Sequence, residues 1–118
     1  MTDTPIESVL DLVNHTTTTV LTKAFGPVPD GEEWSVHVRL CNSGSADDVF
    51  HMRVRKSDGS NSCFRARNKS VPLNDSPFNI ETDLKLKAGY ELWDQSSAGY
   101  VDASYSGTKK VAPKKVTP

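Results

Sequence analysis

Between Phe78 and Gly107 apolar residues recur at every second position, a spacing that no helix gathers onto one face. Phe78, Ile80, Thr82, Leu84 and Leu86 alternate with polar neighbours, Ala88-Gly89 turns the chain, and Tyr90 and Leu92 resume the pattern. After the small-residue turn Ser96-Ser97-Ala98-Gly99, Val101, Ala103 and Tyr105 alternate again. Period-two alternation over short runs bounded by Gly and Ser marks half-buried antiparallel strands. One apolar sheet face is not stable in water, so the rest of the chain must supply a second sheet to cover this meander.

The upstream chain has the same grammar. Trp34, Val36, Val38 and Leu40 alternate with Ser35, His37, Arg39 and Cys41. Across the turn at 42–47, Phe50, Met52 and Val54 are expected to point inward and His51, Arg53 and Arg55 outward, which predicts a hairpin. Beyond Asp58-Gly59, Phe64 and Ala66 are expected inside, with Cys63, Arg65 and Arg67 outside. Thr17 to Thr22 reads as a first strand, and the stretch 68–77 as a loop. Seven to eight short strands at spacings of about ten residues predict an all-β chain, a single antiparallel β-sandwich of jelly-roll or Ig-like type.

The ends read differently. Thr4 as N-cap, Pro5 at the first helical position and Glu7 closing a capping box precede Ile6, Val9, Leu10 and Val13 at helical spacing, which predicts a short N-terminal helix. After Gly107 the stretch TKKVAPKKVTP holds four lysines and two prolines with little to bury, the composition of a flexible tail. The expected division is therefore a helix or arm at 1–16, a sandwich at 17–107 and a flexible Lys/Pro-rich tail at 108–118.

With 118 residues, a net charge of -1 and a pI near 6.3, the chain lacks the basic excess of a general nucleic-acid binder. No apolar run approaches the ~18 residues of a membrane span. The acidic N-terminus does not resemble a secretory leader, so a cytosolic protein with Cys41 and Cys63 reduced is expected. The sequons at Asn14, Asn68 and Asn74 carry no function on this reading. His37, His51, Cys41 and Cys63 match none of the close-paired patterns of metal sites, so neither metal nor cofactor is expected. No nucleophile with a base, no paired carboxylates and no phosphate-cradling loop stand out, and the chain reads as a non-enzyme.

All five arginines, Arg39, Arg53, Arg55, Arg65 and Arg67, take the outward parity of three consecutive expected strands. They are the candidate protein-contact residues. Pairing about Asp58-Gly59 would bring Arg53 near Arg65, a repulsion that needs an acidic neighbour. Trp93 and Tyr100 take the parity opposite to Leu92 and Val101, so both are expected on the surface as interface anchors. Trp93, Asp94 and Tyr100 also form an alternative, carbohydrate-binding set.

The segments VPDGEEWSVHVRLCNSGSADDVFHMRV, residues 28–54, and LKAGYELWDQSSAGYVDASYSG, residues 86–107, resemble small β-sandwich structural proteins of tailed-bacteriophage virions. The turns Pro29-Asp30-Gly31, Asn42-Ser43-Gly44 and Leu86-Lys87-Ala88-Gly89 and the closing strand Val101 to Gly107 carry the resemblance, while Tyr90 replaces its usual acidic residue. It implies a capsid decoration, collar or tail accessory protein, assembled in the host cytoplasm and located in the virion. Its expected partners are other virion proteins and copies of itself, without nucleic acid or membrane. The alternative it leaves open is a carbohydrate-binding or receptor-binding module of the virion.

Overall fold

This computed structural model describes residues 6–73 and 77–111, and within them the alternating segments become eight strands. They are β1 (Ile6–Thr16), β2 (Thr22–Phe25), β3 (Glu32–Asn42), β4 (Asp48–Lys56), β5 (Cys63–Val71), β6 (Phe78–Lys87), β7 (Tyr90–Ser96) and β8 (Val101–Val111). Sheet A has the order β1-β8-β3-β6 and sheet B the order β2-β7-β4-β5, with every pairing antiparallel. Only β4 and β5 are both consecutive in sequence and neighbours in a sheet. Every other connection crosses from one sheet to the other, the wiring of a double-sheet jelly roll.

The sandwich agrees with the sequence, but its connections do not. The hairpin expected between β3 and β4 is a corner between sheets, and the expected meander of β6, β7 and β8 alternates A, B, A. A turn reverses the chain through local geometry, whereas the sheet that the next strand joins depends on distant partners.

The expected N-terminal helix is absent, and its residues form β1, paired along β8 from Ile6↔Val111 to Thr16↔Asp102. Thr4 and Pro5, its expected cap, lie outside the described residues. A helix of about three turns is marginal alone, whereas β8 supplies a backbone ladder on both sides of one bulge. Leu10, Leu12 and Val13 then pack against the core, while Val9 is 78% exposed. A bulge between Asp11 and Asn14 adds one residue to β1 and reverses its parity. Leu10 and Val13, three apart as on a helix face, thereby share the inner face with Leu12.

Thr17 to Leu21 form a connection rather than the expected first strand, and the buried Thr17 hydroxyl bonds Ser96 Oγ at 2.7 Å. β8 continues past Gly107 to Val111, pairing Lys109 with Trp34 and Lys110 with Glu33. Residues 112–118 of the expected tail lie outside the described residues.

Val36, Val38, Leu40, Leu84, Leu86, Val101, Ala103 and Tyr105 of sheet A face Phe50, Met52, Val54, Val71 and Leu92 of sheet B in one core. All four edge strands, β1, β2, β5 and β6, are irregular in register, while the internal pairs β3/β8 and β4/β7 are regular. Bulged edges obstruct backbone pairing with another chain.

Candidate functional site: the outer face of sheet B

Strand register aligns four side chains across all four strands of sheet B. Lys23 lies opposite Trp93, Trp93 opposite Arg53, and Arg53 opposite Phe64. The Arg53 guanidinium carbon is 4.2 Å from the Phe64 ring centroid, and that of Arg67 is 5.2 Å from the same ring. Arg55, two residues along β4, lies 3.7 Å from the Trp93 centroid. Guanidiniums stacked on rings are held flat, retaining charge while losing rotamer freedom.

Glu91 lies opposite Arg55 but does not neutralise it. One Glu91 oxygen accepts from Trp93 Nε1 at 3.1 Å and the other meets Lys23 Nζ at 3.5 Å. Among the described residues neither Arg53 nor Arg55 has a carboxylate within ion-pair distance, and the buried Nε of each lacks a hydrogen-bond partner. The face therefore carries unneutralised guanidiniums mounted on aromatic rings.

The five arginines do not form one patch. Arg39 is exposed on sheet A, where it borders an open hollow of about 580 Å³ with Asn14, Thr16, Cys41, Asp102 and Ser104. Arg65 reaches from β5 across the open side of the sandwich to Glu81 on β6, at 3.9 Å. Arg53, Arg55 and Arg67 remain together. Two irregularities in the β4/β5 register set Phe64, expected inside, opposite Arg53 at 41% exposure. The anticipated Arg53–Arg65 opposition is thereby replaced by a cation–π contact. Parity does not reveal Phe64, because inserted bulge residues leave no fixed signature in composition, nor Lys23, because the expected first strand ends at Thr22 whereas β2 begins there. Glu91 shares the parity of Trp93 on the regular β4/β7 pair.

Trp93 is half-buried on this face, whereas Tyr100 packs over Gly44, where a Cβ would overlap its ring. Asp94 lies wholly inside, so Trp93, Asp94 and Tyr100 do not share a surface. His37 and His51 occupy different sheets, bonded to Asn79 Oδ1 and the Asn68 amide respectively. Cys41 and Cys63 are free thiols in different sheets.

Inside the sandwich, Asp94 Oδ2 accepts a bond from the Tyr105 hydroxyl at 2.5 Å and lies 2.5 Å from His15 Nε2, while Oδ1 has no partner among the described residues. Burial, then the Asp94 charge and hydrogen bond, push the Tyr105 phenol well above its ordinary 10.0. A raised folded value means that this contribution is intact below the unfolded value and is lost as pH climbs toward the folded one. Stability should therefore fall above pH 10.0 in the parent and less steeply in Tyr105→Phe, as read by urea midpoints across that range. At neutral pH the same variant should lose about 1–2 kcal/mol, because Asp94 then keeps only His15.

No protein-family model matches the chain, and no curated protein matches it. Two solved structures of a pentameric capsid protein isolated from metagenomic phage sequences are similar to it at 18% identity and a TM-score of 0.45. The matches cover 87% of this chain and 60% and 62% of those, so the chain spans about three-fifths of their length.

Proposed function

We propose that this chain is a non-enzymatic structural protein of a tailed-phage virion, of the decoration, collar or tail accessory type, which attaches to neighbouring virion proteins through the outer face of sheet B. The observation that carries this reading is the pair Arg53 and Arg55, stacked on Phe64 and Trp93 without a carboxylate partner among the described residues. Aromatic and arginine side chains are the residue types that dominate contact energies. Irregular edges on both sheets leave faces rather than backbone as the means of contact, and the turns that resemble phage virion proteins lie in the same sandwich. Copies of the chain occupy equivalent sites on the particle, the usual arrangement of a small structural protein in a symmetric assembly.

The test is incorporation. Particles assembled with Arg53→Glu/Arg55→Glu should carry at least about tenfold less of this chain than particles assembled with the parent, since reversing desolvated contact charges costs several kcal/mol. Quantitative mass spectrometry of purified particles reads the copy number, and thermal unfolding checks that the variant remains folded. Unchanged incorporation of a folded variant would remove this face from the attachment.

A further inference from the structure

Resting on the attachment reading, we propose that the partner docks on sheet B as an extended segment with acidic side chains at alternate positions. Arg53 and Arg55 are two apart on one strand and share a face, which sets their backbone separation at about 6.8 Å. An extended partner presents its own positions i and i+2 on one face at the same repeat, so two carboxylates meet two guanidiniums in register. Contact with Phe64 at 4.2 Å and Trp93 at 3.7 Å restricts the rotamers of Arg53 and Arg55 before the partner arrives. Glu91, the acid placed to compete for Arg55, is engaged by Trp93 Nε1 and Lys23.

The chain's own acids are poor occupants. Among the described residues the alternate acidic pairs are Asp30/Glu32 and Glu81/Asp83. Glu32 accepts from Trp34 Nε1, Glu81 meets Arg65, and Asp83 holds Ser35 and Lys85. The segment therefore comes from a different protein. Single-stranded nucleic acid also repeats its charges along an extended chain, but it gains its affinity by stacking bases on open rings. Here Arg53 and Arg67 lie against Phe64, and Arg55 against Trp93.

Isothermal titration of the folded chain with a peptide alternating Glu and Ser, with its block isomer of the same composition, and with oligothymidylate tests this. The alternating peptide should bind at least about tenfold more tightly than the block isomer. Arg53→Lys and Arg55→Lys should each weaken it despite preserving charge, because lysine loses both the fork and the stack. Equal affinity for the two peptides, or preference for the oligonucleotide, would overturn the proposal. If equal affinities were found while Arg53→Glu/Arg55→Glu still emptied the particles, attachment would stand and only this partner chemistry would fail.

Discussion

Asp48→Ala is expected to lower stability by about 4 kcal/mol, a fall of roughly 15–20 °C in Tm for a chain of this size. Asp48 opens β4 and is 4% exposed. Its Oδ1 accepts from the amides of Val49 at 2.7 Å and Ala98 at 2.8 Å, and its Oδ2 from the amide of Tyr100 at 2.9 Å. Ala98 and Tyr100 lie in the corner carrying β7 of sheet B into β8 of sheet A, while Asp48 closes the corner from β3 to β4. One carboxylate thus ties two crossings, and Ser43 N–H to the Tyr100 carbonyl, 2.9 Å, closes the seam. Alanine would leave three amides without their acceptor.

The pH dependence has a definite sign. Burial alone would raise the Asp48 pKa, but the amides of Tyr100, Val49 and Ala98 and the Ser96 hydroxyl hold it below the usual 3.8. A depressed folded value gives stability that is complete above the unfolded value and is lost as pH falls through the folded one. Asp48→Asn, uncharged throughout, should show a flatter acid limb in chemical denaturation between about pH 5 and 2. Parallel acid limbs in parent and variant would show that this carboxylate is not held as described.

Gly107→Ala is expected to cost about 3 kcal/mol or more, with reduced amide protection across β1 and β3. Gly107 is paired on both sides, with Leu10 of β1 and Val36 of β3. A Cβ there would overlap the Ser35 carbonyl oxygen, a backbone atom that cannot rotate away. The strands would have to separate at the centre of sheet A. A variant with the parent's denaturant midpoint would show that this close approach is not required.

Gly107 also illustrates the limits of pattern reading. In sequence it stands where alternation gives way to TKKV and so resembles the end of a strand. In the fold it lies within β8, and the strand continues because β1 and β3 both need its backbone. β1 makes a similar point, since the bulge after Asp11 puts Leu10 and Val13, three apart, on one face of a strand. Asp48 gave no signal, being one acid among fifteen and distinguished only by the amides that converge on it. The outward parity of Arg53, Arg55 and Trp93 was legible, because regular strands alternate faces whatever they pair with. The positions of Phe64 and Arg65 were not, because two register shifts intervene.

Sequence by itself determined where most strand segments lie from Trp34 to Gly107, except the end of β5 at 68–71, which was expected in a loop, together with most of the core and the outward set on β4 and β7, all of which follow from side-chain period along one extended chain. Tertiary structure alone decided that β1 is a strand, that successive strands change sheets, that Arg39 and Arg65 leave the arginine group, and that Asp48 and Gly107 matter. Each of these depends on which distant backbone lies alongside, and a local pattern contains no information about its partner.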